Sequence, residues 1–213
     1  MLEKSSMEYD TPFSSSISSV FYEGAKHSLY IIPLDSSNRR IVKRLYQHRN
    51  FYPHQAFQRR ALPLGQSINA LIEMIAARDE SDDFYFSVHL SMHSDILSFE
   101  PSADIFCGTI QAIWIDRVSR VVEIGLDLLP QFIGFGFGPY ILDLFINRLG
   151  SYCNVYKFLS HSLSVNTSSF DLFTSRGFLH IGTYREHFMM GNERFDVDLL
   201  ELLFPNYIPL LLK

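Results

Sequence analysis

Residues 123–142 read EIGLDLLPQFIGFGFGPYIL and decide how the whole chain is interpreted. A strand-like stretch comes first, three glycines follow at Gly134, Gly136 and Gly138, and Pro139 then opens a predicted helix. Glycine lets the backbone approach a ligand closely, because no Cβ stands in the way. The first turn of a helix adds N–H groups without intrahelical partners and the positive end of the dipole. The segment therefore predicts a site for an anion such as phosphate or pyrophosphate.

Three interpretations of this glycine loop compete on spacing alone. A dinucleotide-binding fingerprint needs GxGxxG and an acidic residue about 20 positions later. Here the spacing is GxGxG, and residues 156–159 contain no carboxylate. A phosphate-binding P-loop needs Lys-Ser/Thr after its last glycine, but Pro139 follows Gly138. The third interpretation is a tight turn that binds no ligand, and the spacing does not decide between this turn and an anion site.

The hydrophobic pattern outside the loop predicts the element order β, α, α, β, β, β, α, β, α, β, β. We expect an α/β (α+β) fold with a mixed, mostly antiparallel central sheet of six to seven strands flanked by helices. The predicted helices lie near 41–46, 66–78, 139–149 and 167–176. The predicted strands span 27–34, 84–90, 105–115, 120–129, 155–161, 178–188 and 194–203, with a last hairpin turning at Gly191 and Asn192.

Length and composition indicate one globular domain. The chain has 213 residues, 47% of them apolar, and a net charge of −5, which suits a single core and does not favour nucleic acid. We expect a mobile, Ser-rich lead-in over 1–24 and one domain over 25–213. Two distant cysteines, no signal peptide and no uninterrupted apolar run of about 20 residues favour a cytoplasmic protein without a membrane segment.

Two motifs together resemble the GNAT superfamily of N-acetyltransferases. The first is the acidic strand around Glu123, then Pro130 and the glycine loop; the second is Asn166-Thr167-Ser168-Ser169 followed by Phe173 and the Gly177-Phe178 pair. The closing hairpin also looks like the end of such a domain. The resemblance covers residues 28–204 by element order and is specific over 121–204.

The resemblance implies that acetyl-CoA is the co-substrate. Main-chain amides of the loop would hold its pyrophosphate, the strand 126–129 would pair with the pantetheine arm, and Asn166 would hydrogen-bond the pantetheine or the phosphate side. The implied cofactor-binding residues are Leu126, Leu128, Gly134, Phe135, Gly136, Phe137, Gly138 and Asn166. Three positions depart from the family pattern. Ile133 replaces an Arg or Gln, Phe135 replaces a frequent basic residue, and Phe173 replaces the Tyr that protonates the leaving thiolate. We interpret Phe173 as a core aromatic.

Acyl transfer to an amine needs a base, because alkyl amines have a pKa near 10. Glu123 is the first candidate, with a surface carboxylate as the alternative. His161, expected at the end of a strand, is the second. Asp127 lies four residues beyond Glu123 on the same strand face and is a candidate for binding a cationic amine. We expect no metal, because His89 and His93 have no third ligand nearby.

The sequence thus predicts an N-acetyltransferase that moves an acetyl group from acetyl-CoA to a primary amine by direct attack on the thioester. A catalytically impaired, CoA-binding or regulatory module of the same fold is the alternative. The acceptor is a small-molecule or peptide amine, no membrane partner is expected, and a homodimer is left open. Nucleic acid is disfavoured, although the basic segment from Arg39 to Arg60 keeps it as a weaker hypothesis.

Overall fold

The computed structural model describes residues 16–22, 25–34, 42–43, 69, 72–73, 83–91 and 105–206. The helices predicted near 41–46 and 66–78, most of the basic segment, and the chain after residue 206 fall outside these ranges. The few described residues of the two predicted helices, at 42–43, 69 and 72–73, are helical.

One sheet of eight strands organises the described part of the chain, in the order β1-β2-β3-β4-β5-β6-β8-β7. Neighbouring strands are antiparallel except β5 and β6, which are parallel. The strands are β1 Ser16–Tyr22, β2 Ala25–Pro33, β3 Phe84–Ser91, β4 Ile105–Asp116, β5 Val121–Leu128, β6 Lys157–Leu163, β7 Leu179–Met190 and β8 Glu193–Leu203. The predicted mixed, mostly antiparallel sheet is therefore confirmed. The eighth strand is β1, which lies within the expected lead-in and pairs with β2; the domain boundary near residue 24 stays a prediction.

Helix α1, Phe137–Tyr152, connects the two parallel strands β5 and β6, as such a crossover requires. It begins two residues before Pro139, where the sequence placed its start. Proline is tolerated there because the first turn needs no intrahelical N–H donors. One face of α1 is buried against the sheet, and the ring centroid of Phe145 lies 5.5 Å from that of Phe86 in an edge arrangement. Helix α2, Thr167–Ser175, packs beside it.

The parallel pairing of β5 and β6 is short. It runs from Val121 opposite Lys157 to Glu123 opposite Leu159, whereas β5 continues to Leu128 and β6 to Leu163. The two strands therefore part beyond Glu123, and the sheet opens there. His161 lies inside β6 rather than at its end, which corrects the prediction, because β6 begins and ends two residues later than the pattern indicated.

The last hairpin turns at Gly191, as predicted, with φ 62°. Within the described residues, no helix has the length and apolar character needed to cross a membrane.

Candidate functional site

A cleft occupies the opening between β5 and β6. Its walls come from three elements: the second half of β5, the second half of β6, and the first two turns of α2. The lining residues are Gly125, Leu126, Asp127, Ser160, His161, Ser162, Leu163, Asn166, Ser169 and Phe173. The cleft exists because two parallel strands lose their pairing partway along, so their inner edges and side chains face one another across a gap.

The two candidate bases meet at the point where the strands part. The Nδ1 of His161 lies 3.0 Å from Oε1 of Glu123, and the side chains are only 8% and 13% exposed. Among the described residues, the Nδ1 makes no well-aligned hydrogen bond. Imidazole and carboxylate are both groups that serve as general bases, so the pair is a candidate for that role. The structure thus brings together two residues 38 positions apart.

Asp127 lies on the same face of β5 as Glu123, because the pairing of β4 with β5 is unbroken between Ile113–Glu123 and Thr109–Asp127. Its residue surface is only 6% exposed, and it lines the cleft. The binding of a cationic amine by Asp127 stays a prediction, and its place in the cleft is compatible with it.

The glycine loop has open space in front of it. Gly134 and Gly136 have φ of 88° and 80°, and both are exposed. An added Cβ at either would meet no atom of the described residues within 4 Å. Within the described residues, their amides donate no backbone hydrogen bond. Gly136 is the N-cap of α1. The N–H groups and the helix dipole therefore face accessible space, as an anion site requires.

The neighbouring loop residues Ile133, Phe135 and Gly138 do not offer the same exposed glycine backbone to a ligand. Gly138 is buried, and a Cβ there would lie 3.1 Å from Leu172 of α2, so this glycine allows α1 and α2 to pack closely. Ile133 and Phe135 are 43% and 53% exposed, and neither brings charge to the loop. The ring of Phe135 stacks on that of Phe137 at 6.0 Å.

Asn166 is the N-cap of α2, where its Oδ1 accepts a hydrogen bond from the Ser169 amide at 3.2 Å. Its oxygen therefore stabilises the helix start, and the side-chain NH₂ group is the part left for a ligand in the cleft. Leu126 lines the cleft, but Leu128, paired with Gly108 near the end of β5, does not.

Phe173 is 2% exposed and packs edge-on against Phe178 with ring centroids 5.0 Å apart. The interpretation as a core aromatic is confirmed. Because Phe173 also borders the cleft, a hydroxyl at this position would be close to any bound ligand.

Sequence reasoning missed two cleft serines. It included Tyr184, with Tyr140 and Tyr156, among the tyrosines that could donate a proton, but it could not rank the three. Ser160 and Ser162 are buried on β6, and the ring of Tyr184 on β7 lies near-parallel to that of His161 at 6.4 Å between centroids. The available signal for the serines was the run of three polar residues from Ser160 to Ser162, between Leu159 and Leu163. Among the described residues no group of three or more His, Cys, Asp or Glu could hold a metal ion.

Comparisons with known proteins support the fold. No family model and no curated protein matches the chain, but solved structures do. Spermidine N-acetyltransferase from Vibrio cholerae in complex with CoA and spermine has a TM-score of 0.69 at 18% identity, over 83% of this chain and 96% of that chain. A dodecameric structure of the same enzyme in an intermediate state gives 0.65 at 17%, over 83% and 94%. A complex with manganese ions gives 0.63 at 17%, over 83% and 92%. At these identities the similarity shows the fold alone: the chain has the fold of these N-acetyltransferases.

Proposed function

We propose that this protein is an acetyl-CoA-dependent N-acetyltransferase that transfers an acetyl group to a primary amine. One observation carries the proposal: the Glu123–His161 pair lies where β5 and β6 part, beside a cleft of the kind that an acyl donor and an amine would share. The fold and the open glycine loop support the same assignment.

The residues present fit coenzyme A. The exposed, left-handed Gly134 and Gly136 leave room for a diphosphate before α1, and beyond Glu123 the described part of β5 has no β6 partner along its edge. Amides of the loop would hold the diphosphate, and the main chain near Leu126 would hold the pantetheine arm. Asn166 would donate to the arm through its side-chain NH₂ group. Acetyl-CoA supplies a thioester whose C–S bond breaks as the amine nitrogen bonds to the carbonyl carbon.

Glu123 and His161 act on the amine. A protonated amine does not attack a thioester, so one proton must leave before the new bond forms and a second as it forms. The pair accepts one of these protons, at the Glu123 carboxylate or at the His161 imidazole, and water accepts the other. The departing CoA thiolate takes up one proton from the site or from water, so each transfer releases one proton to the solvent. Asp127 attracts the cationic amine into the cleft before the amine loses its proton.

We propose a polyamine-like cation as the first acceptor to test. Two carboxylates, the partly buried Glu123 and the buried Asp127, lie on one strand face. A molecule with several amino groups can meet one with its reacting nitrogen and the other with a distant ammonium. The similarity to spermidine N-acetyltransferases supports the choice of spermidine and spermine as probes.

The experiment measures binding and turnover separately. Calorimetry with CoA and acetyl-CoA tests the donor site, and a free-thiol assay with spermidine, spermine and a panel of other amines tests transfer. Glu123→Gln and His161→Asn should each lower kcat by about 10²- to 10⁴-fold, the usual contribution of a general base, with CoA affinity unchanged. The matched control is His180→Asn, which breaks another His–carboxylate contact, 3.2 Å from Asp198, outside the cleft. No binding of acetyl-CoA at millimolar concentration ends the proposal.

A catalytically impaired CoA-binding or regulatory module is the second candidate. The specific observation is Phe173, a buried ring without a hydroxyl beside the cleft, together with the uncharged Ile133 and Phe135. Binding of CoA without thiol release across the amine panel would favour this alternative over the enzyme.

We further propose that the protein acts in the cytoplasm, needs no metal, and has no membrane or nucleic-acid partner. Unchanged turnover after chelation by EDTA is the expected result. One similar structure is a dodecamer. Sedimentation analysis of this protein would test whether it forms a homodimer or a larger assembly.

A further inference from the structure

An irregularity in β7 places two rings on one side of the strand. Pairing with β8 shifts register between Tyr184 and Phe188, and Glu186 adopts a left-handed backbone with φ 49°. In a regular strand, residues three apart point to opposite faces. Here the rings of Tyr184 and His187 are instead in contact, with centroids 4.7 Å apart and planes inclined by 36°. The bulge is what brings the two rings together.

Two side chains of β8 hold the bulge in place. The Glu186 amide donates to Oδ1 of Asp196 at 2.7 Å, and Nη1 of Arg194 donates to the Glu186 carbonyl at 3.2 Å. A non-glycine residue in the left-handed region is strained and persists only where its surroundings fix it. Both main-chain groups of Glu186 are fixed in this way, so the conformation is built into the hairpin.

The contacts continue from the bulge to the candidate base pair. Tyr184, 42% exposed, has its ring near-parallel to His161, with planes at 14° and centroids 6.4 Å apart. His161 in turn lies 3.0 Å from Glu123. The series His187, Tyr184, His161, Glu123 thus runs from the exposed edge strand to the buried carboxylate.

We propose that Tyr184, held by His187 through the bulge, is a positioning residue that fixes the imidazole of His161 against Glu123. The inference rests on the proposed function of that pair. Within the part of the chain that the structure describes, the Nδ1 of His161 makes no well-aligned hydrogen bond, so the orientation of the imidazole depends on what packs against the ring. An offset aromatic neighbour at this separation restricts ring rotation. Among the described groups, the titratable ones facing His161 are Glu123 from β5 and Tyr184 from β7, with Asp127 in the same cleft.

The first test needs no catalysis. NMR of the full chain, with ¹⁵N-labelled histidine, reports which ring nitrogen of His161 carries the proton. The wild type and Tyr184→Phe, which keeps the ring, should show the same ratio of the two His161 tautomers. Tyr184→Ala and His187→Ala should both change that ratio, because the imidazole is then less restricted relative to Glu123. The matched control is Tyr156→Ala, since Tyr156 is 41% exposed and packs on Arg120; it should leave His161 unchanged. An unaltered His161 tautomer ratio in both Tyr184→Ala and His187→Ala overturns the inference.

The second test is kinetic. Tyr184→Ala should lower kcat about 10- to 100-fold, as misplacing a reacting group does, while KM for acetyl-CoA changes less than about twofold and Tyr184→Phe restores the wild-type rate. Glu186→Gly relieves the strain and keeps the bulge, so its kcat should match the wild type. An altered tautomer ratio with unchanged kcat overturns the positioning role. A wild type that never releases thiol instead refutes the proposed function, and the NMR result then still decides whether Tyr184 orients His161.

Discussion

Replacing Gly136 with alanine separates the ligand role of the glycine loop from its folding role. An added Cβ at this position meets no atom within 4 Å, so no clash arises, but φ of 80° is unfavourable for a residue with a Cβ. A left-handed conformation costs roughly 1–2 kcal/mol. In a chain of this size, that corresponds to a Tm about 2–8 °C lower. Gly136→Ala should therefore fold with a modest loss of stability.

The effect on CoA binding should be larger. The new methyl group occupies the space in front of the N terminus of α1, where a diphosphate would approach the amides. Each hydrogen bond to a charged group contributes about 1.5–3 kcal/mol to the binding free energy. The loss of one such bond should therefore raise the Kd for CoA by about 10- to 100-fold. Calorimetry measures Kd directly, and the rise in Tm on adding CoA measures the same loss independently.

Gly191 offers a matched control. It has φ 62° with no atom within 4 Å of an added Cβ, and it forms the turn between β7 and β8. Gly191→Ala should lose a similar amount of stability and bind CoA like the wild type. If Gly136→Ala keeps the wild-type Kd while both variants lose comparable stability, the loop does not hold a diphosphate and the reasoning is refuted.

Three further predictions test other parts of the molecule. Phe173→Tyr should raise kcat, measured by thiol release, about tenfold or more, because it places a general acid beside the cleft. An unchanged kcat together with a free energy of unfolding lower by about 1–3 kcal/mol would instead show that the hydroxyl is buried without a partner. Burial raises the pKa of the Cys107 thiol to about 12, against an opposing backbone hydrogen bond from Leu90, so iodoacetamide should modify it only after unfolding. The unfolded chain ionises this thiol first, so stability should also fall as pH rises from about 9 towards 12. Arg176→Met removes one ion-pair partner, at 3.4 Å, of the fully buried Asp143, and should lower the free energy of unfolding in urea by roughly 3 kcal/mol. A loss below about 0.5 kcal/mol would show that Asp143 does not depend on Arg176.

Much of the fold was predictable because its signals are local. Alternating side chains mark β3 and β-branched residues mark β4. Glycine and asparagine mark the turn at Gly191, and the glycine loop leads into α1. The start of α1 was misplaced because proline is compatible with several positions of a first turn, and Gly136 rather than proline ends the loop. The strand β1 was missed because its serine-rich sequence has little apolar alternation, and it is pairing with β2 that makes it a strand.

The chain's sequence determined, by itself, which residue types the site contains: a glycine loop before a helix, the acidic residues Glu123 and Asp127, and a phenylalanine at position 173. These features are visible in the sequence because they depend only on residue type and on short spacings along the chain. Only the tertiary structure decided that His161 meets Glu123, that the cleft begins where they meet, and that Tyr184 stacks on the imidazole. These contacts join strands that are far apart in the chain. They are set by the strand register and by the bulge at Glu186, and neither of these features produces a local sequence pattern.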